Sequence, residues 1–135
     1  MKILITGGLG HIGSYLLENI NKIKPIRKIY LIDNFSTNRY CSLFNFPKTN
    51  KKIYFYQSDL AKNNALKNFK KVDVVVHLAS LTDAESSLKN KKKIYKNNLG
   101  IFKNVIHYCK KNSSRLIHIS STSVYGEQKG LVDVK

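Results

Sequence analysis

The run Thr6-Gly7-Gly8-Leu9-Gly10-His11-Ile12-Gly13 constrains what this chain can fold into more than any other segment. It follows an apolar stretch, Lys2 to Thr6, that reads as a strand, and it opens a segment, His11 to Lys22, whose apolar residues fall near one helical face. Glycines between a strand and a helix serve three needs: a tight turn, backbone that nears a ligand without a Cβ in the way, and close packing of helix on strand. The run fits Gly-x-Gly-x-x-Gly from Gly8 and Gly-x-x-Gly-x-x-Gly from Gly7. The helix that begins there turns free N–H groups and the positive end of its dipole toward the loop, a setting suited to phosphate. Asp33 ends the second predicted strand 20 positions after Gly13, where a carboxylate accepts ribose hydroxyls. Loop and acid together point to a dinucleotide. A carboxylate at this place repels a 2′-phosphate, which favours NAD over NADP, with Arg39 as a nearby cation that an irregular loop can bring back.

The rest of the chain repeats the strand and helix alternation. Short apolar runs at Lys28 to Ile32, Lys52 to Tyr56, Val72 to His77 and Arg115 to Ser120 read as strands, most of them continuous as expected when a strand is buried on both faces. Helical spacing recurs over Leu60 to Phe69 and from about Ser86 to Lys111. The segment Asn34 to Asn50 has no period and reads as an irregular connection with one helical turn near Tyr40 to Phe44. Five strands with helical crossovers predict an α/β fold: a Rossmann-like, doubly wound parallel sheet in the order 3-2-1-4-5. Residues 1–135 are read as one NAD-binding domain, since this length leaves no room for a second domain.

Charge and cysteine usage narrow the alternatives. Lys and Arg number 24 against 8 acidic residues, a formal charge of +16 that favours anions. Of those 24, all but Arg27, Arg39 and Arg115 are lysines, scattered over most segments apart from the run Lys89 to Lys93. Scattered lysines read as a solvated surface, so nucleic acid is disfavoured as a partner. No run reaches membrane-spanning length, the N-terminal apolar stretch is too short for a signal peptide, and Cys41 and Cys109 lack metal or disulfide spacing. No metal and no membrane are expected, and a cytoplasmic location is.

Taken with the glycine loop, Asp33-Asn34, Asp59-Leu60, His77-Leu78-Ala79-Ser80 and Ser120-Ser121-Thr122-Ser123-Val124-Tyr125-Gly126 stand in the order and spacing of a known superfamily. The chain resembles the extended short-chain dehydrogenases/reductases, and within them the NAD-dependent epimerase/dehydratase family. The resemblance implies that Gly7, Gly10, His11, Ile12 and Gly13 hold the pyrophosphate, that Asp33 and Asn34 take the adenosine ribose, and that Asp59 and Leu60 lie at the adenine. It also implies that Leu78, Ala79 and Ser80 line the dinucleotide groove. Asp59 has a second reading, as a cap before Ala61, and His77 reads as a packed histidine rather than a catalytic base. The family's Asn-x-x-Gly-Thr-x-Asn element is matched at Asn98 and Asn104, with Ile101-Phe102 in place of Gly-Thr. Asn98 is carried over as a cofactor-side residue, and the bulk at 101 and 102 puts close approach of this helix in question.

By the same resemblance, a nucleotide-sugar hydroxyl is oxidised by NAD with help from a Ser or Thr hydroxyl, a Tyr and a Lys that lowers the Tyr pKa. Ser121 matches the hydroxyl position. Tyr125 and Lys129 form a literal Tyr-x-x-x-Lys, yet Tyr125 belongs to the Val-Tyr-Gly motif only four residues after Ser121, and the family places its pair on a later helix. Three readings follow. The chain is the N-terminal part of an epimerase or dehydratase lacking the catalytic helix and substrate subdomain, or a non-catalytic NAD-binding module, or a Lys-rich anion binder. Family members dimerise through helices of this domain, which admits a homodimer.

Overall fold

The computed structural model describes residues 1–82 and 87–120. Five strands, β1 (Lys2–Thr6), β2 (Lys28–Asp33), β3 (Lys52–Gln57), β4 (Val74–His77) and β5 (Arg115–His118), form one sheet in the order β3-β2-β1-β4-β5. All four pairings are parallel. The helices are α1 (His11–Glu18), continued by a 3-10 turn at Ile20–Lys22, and α2 (Ser87–Asn112), which kinks at Asn90. This is the fold class expected from the alternating pattern.

Alternation along the central strands separates two cores. Ile3 and Ile5 of β1 join Ile29 and Leu31 of β2 beneath Leu17 and Ile20, on the α1 side. Leu4, Tyr30, Ile32 and Val75 face the other way and pack on Ile101, Val105 and Tyr108 of α2. Both faces of β1 are therefore buried, which explains its continuous apolar run.

The irregular segment after β2 carries a 3-10 turn at Tyr40–Leu43, close to the single turn expected there. Leu60 to Phe69 does not form the expected helix. It runs as successive four-residue turns, with Lys62 N–H on Asp59 O, Ala65 on Lys62, and Lys67 on Asn64. Two causes are visible. Asn64 takes a left-handed conformation (φ 59°), which an α-helix does not tolerate. Asn104 of α2 donates to Leu60 O and Lys62 O, both at 2.8 Å, occupying carbonyls that a helical ladder needs. The apolar spacing is still used, because Leu60 and Leu66 enter the α2-side core.

Candidate functional site

The glycine loop turns directly out of β1. Gly7 has φ +66°, and a Cβ there would lie 2.8 Å from both Cα and N of Ala79. A side chain at this position is opposed by torsion and by the neighbouring chain at once. Gly7 N–H donates to Ile32 O at 2.8 Å, tying the loop to β2. At the start of α1, a Cβ on Gly13 would lie 2.6 Å from the carbonyl oxygen of Gly8, so this glycine sets how closely the helix approaches the loop. No side chain caps α1 and its first turn holds no acid. Its positive end is thus left without an anionic partner from its own first turn.

These residues border a cavity of about 1070 Å³ at the C-terminal ends of the strands. Its position is the point where the chain leaves β1 for one side of the sheet and later returns to the other, the usual ligand crevice of a doubly wound sheet. Gly7, Gly10, His11, Ile12 and Gly13 line one wall, with Asp33 and Asn34 beside them. Leu78, Ala79 and Ser80 line the wall beyond β4, and Asn98 and Leu60 also reach the cavity. Of the expected site residues within the described chain, only Asp59 is not on this lining. Its carboxylate accepts Ala61 N–H at 2.9 Å, the turn-capping geometry that its position also allowed. Ser121 lies outside the described residues, as do Tyr125 and Lys129.

Asp33 is held by its own surroundings. One carboxylate oxygen accepts Leu9 N–H at 3.1 Å and the other accepts Phe35 N–H at 2.9 Å. Each oxygen has a second lone pair to offer, so the group is oriented yet not exhausted. Asn34 turns its side chain back to accept Ser36 N–H at 3.0 Å. The loop after β2 does return Arg39 to the cavity, where its guanidinium donates to His11 Nε2 at 2.7 Å. Asn98 holds Leu81 on both sides, accepting its N–H at 2.8 Å and donating to its carbonyl at 3.1 Å. That amide braces the cavity wall after β4.

Sequence reasoning singled out fewer residues than the cavity uses. Ser36 and Thr37 from the loop after β2, and Lys91 and Tyr95 from α2, also line it. No local motif signals them, since they arrive through irregular backbone or across the fold. The Ile101-Phe102 replacement resolves simply: Ile101 enters the core and Phe102 faces the cavity. Gly100 leaves ordinary room for a side chain, since an added Cβ would sit 3.6 Å from Ala61 O.

At the floor, on the α2 side, Thr6, His77 and His118 stand in register on neighbouring strands. Thr6 and His77 are buried, and Thr6 Oγ1 lies 2.8 Å from His77 Nδ1. The His77 ring stacks 5.2 Å from His118 and 6.0 Å from Phe102. Burial, reinforced by the neighbouring His118, lowers the His77 pKa from 6.5 to about 4, so it is neutral at ordinary pH.

A parallel sheet in this order, with a glycine turn opening onto its switch point, defines a Rossmann-like nucleotide-binding architecture. The model of the NAD dependent epimerase/dehydratase family matches residues 3–134, and the chain belongs to that family, whose cofactor is NAD. It is 33% identical over 141 residues to a dTDP-D-glucose 4,6-dehydratase of Dictyostelium discoideum, covering 98% of this chain and 31% of the relative. It is 33% identical to a UDP-glucose 4-epimerase of Yersinia enterocolitica, covering 94% of this chain and 39% of the relative. Among solved structures, the UDP-Glc/GlcNAc 4-epimerase of Campylobacter jejuni superposes with a TM-score of 0.77 at 31% identity, over 96% of this chain and 40% of that one. The chain thus spans well under half the length of these relatives. Among the described residues, no helix is long and apolar enough to cross a membrane.

Proposed function

We propose that this chain is the NAD-binding, N-terminal part of a sugar-nucleotide epimerase or dehydratase, and that the dinucleotide lies across the cavity from Asp33 to Ser80. The observation that carries the reading is the pairing of Gly7 and Gly13, where a Cβ would meet backbone at 2.8 and 2.6 Å, with an uncapped α1 N-terminus facing the same cavity. In this reading Gly7, Gly10, His11, Ile12 and Gly13 surround the pyrophosphate. Asp33 accepts the adenosine ribose hydroxyls with its remaining lone pairs, and Asn34 shapes the turn beside it. Leu60 borders the adenine and Asp59 holds the turn that presents it. Leu78, Ala79 and Ser80 flank the nicotinamide half, and Asn98 steadies their backbone through Leu81.

Bound NAD supplies the hydride acceptor for transient oxidation of a sugar hydroxyl. By the family pattern, Ser121 would hydrogen-bond that hydroxyl. The substrate is a nucleotide sugar by analogy with the dehydratase and epimerases named above. The test is calorimetric titration with NAD and with NADP. NAD is expected to bind, NADP at least roughly ten-fold more weakly, and Asp33→Asn to narrow the gap by removing the charge that repels a 2′-phosphate. No heat and no thermal stabilisation with NAD would refute the reading.

A further inference from the structure

We propose that His77 is a positioning residue for the cofactor, acting as a neutral hydrogen-bond acceptor that fixes the Thr6 hydroxyl and, through it, the Leu78–Ala79 wall of the cavity. This rests on the reading that NAD occupies that cavity.

The Thr6 hydroxyl faces three nitrogens. Thr6 Oγ1 is within 3.2 Å of both Leu78 N and Ala79 N, two amides that can only donate. It is also 2.8 Å from His77 Nδ1. A hydroxyl has one proton and two lone pairs. Ala79 N–H takes one lone pair and Leu78 N–H, shared with Thr6 O at 3.1 Å, is directed at the other, so the proton points to His77, with Nδ1 bare and the ring proton on Nε2. A protonated His77 offers N–H at Nδ1 and confronts a third donor with no lone pair left. It would compete with Ala79 N–H for the hydroxyl oxygen, whereas Leu78 N–H keeps Thr6 O.

Those amides matter because of what they face. Ala79 N and Cα and the Leu78 carbonyl carbon are the atoms nearest the missing Cβ of Gly7. The Thr6 hydroxyl therefore sets the spacing between the glycine turn and the exit of β4, on either side of the proposed dinucleotide path. His77 is kept neutral by its setting. β1 offers it Thr6, α2 offers the Phe102 ring, and β5 offers His118, the titratable neighbour that disfavours its charge. His77 itself adjoins the cavity floor, beneath the wall it orders.

Two measurements on the full chain test this. Imidazole 15N spectra are expected to show His77 with Nδ1 unprotonated and Nε2 protonated between pH 6 and 8, with or without NAD; an Nδ1–H tautomer or an imidazolium would overturn the proposal even if every variant misfolds. The second is NAD titration of folded His77→Phe, His77→Asn and Thr6→Val. His77→Phe and Thr6→Val are expected to weaken NAD by roughly ten-fold, the scale of an amide left unpaired in the wall. His77→Asn should restore affinity to within about three-fold, because its Oδ1 can stand where Nδ1 stood and accept the same proton. Normal NAD affinity in His77→Phe refutes the positioning role, whereas absence of NAD binding by the unaltered chain refutes the reading of the cavity.

Discussion

Replacing Gly7 and Gly10 separately by alanine should split folding from binding. At Gly7 the new methyl is opposed twice. The left-handed φ of +66° costs a non-glycine residue about 1–2 kcal/mol. The Cβ also falls 2.8 Å from Ala79 N and Cα and 2.9 Å from the Leu78 carbonyl carbon, all backbone atoms that cannot rotate aside. Forcing such an overlap costs about 1–3 kcal/mol, so Gly7→Ala should destabilise by roughly 2–5 kcal/mol. Gly10 has φ −68°, ordinary for any residue, and its Cβ would meet only Gly7 O at 3.3 Å. Its cost reduces to that of alanine as a helix N-cap, about 1 kcal/mol or less. Yet Gly10 borders the cavity, so its methyl would stand where the proposed pyrophosphate passes. Urea unfolding with and without NAD, followed by far-UV circular dichroism, gives both quantities. Gly7→Ala should lower stability without ligand, and Gly10→Ala should fold nearly normally but lose most of the NAD-dependent stabilisation. Gly7→Ala within 1 kcal/mol of the unaltered chain would refute the steric argument, because that is less than its backbone torsion alone should cost.

The folded chain holds the His77 pKa near 4 against an ordinary 6.5, so the unfolded state takes up the proton first as pH falls. Stability contributed by this group is complete above pH 6.5 and is lost as pH falls toward 4, by roughly 3 kcal/mol, and His77→Asn should flatten that part of the urea-midpoint profile. Tyr108→Phe removes a hydroxyl that donates to Lys70 O at 2.6 Å and accepts Val72 N–H at 3.1 Å, so unfolding free energy should fall by about 1–3 kcal/mol. Gly100→Ala, in the interior of α2 with only Ala61 O and Cα within 4 Å of its new methyl, should stabilise by about 0.5–1 kcal/mol in the same assay.

The centre of the sheet was legible because β1 and β2 are buried on both faces, whereas the edge strands β3 and β5 are partly exposed, Tyr54 and Ile117 among them. Leu4 and Ile5 are both fully buried although they point to opposite sides, and no surface helix produces such an unbroken run. Strand ends were less legible. The predicted fourth strand begins at Val72, but Val72 N–H goes to the Tyr108 hydroxyl and the ladder starts at Val74. The segment from Leu60 to Phe69 failed for one local reason, the left-handed Asn64, and for one that no window of sequence contains. Its carbonyls are claimed by Asn104, more than forty residues away, and a short segment rich in Asn gives up helical bonds readily to such a competitor.

The same division runs through the site. Glycines are legible because only an absent Cβ lets backbone pass at these distances, and Asp33 is legible because its strand delivers it to a fixed place. What the sequence hid is the polar wiring between elements. Thr6 is the residue before the glycines and His77 the last of β4, 71 positions apart, and neither belongs to a pattern that announces a shared hydrogen bond. Parallel pairing of β1 with β4 puts them in register, and burial keeps the imidazole uncharged. A buried polar pair of this kind needs every donor and acceptor matched, and here the matching amides are those of the loop that faces Gly7. The geometry of the proposed cofactor wall thus depends on a tautomer, a quantity set by the folded arrangement and absent from any single stretch of the chain.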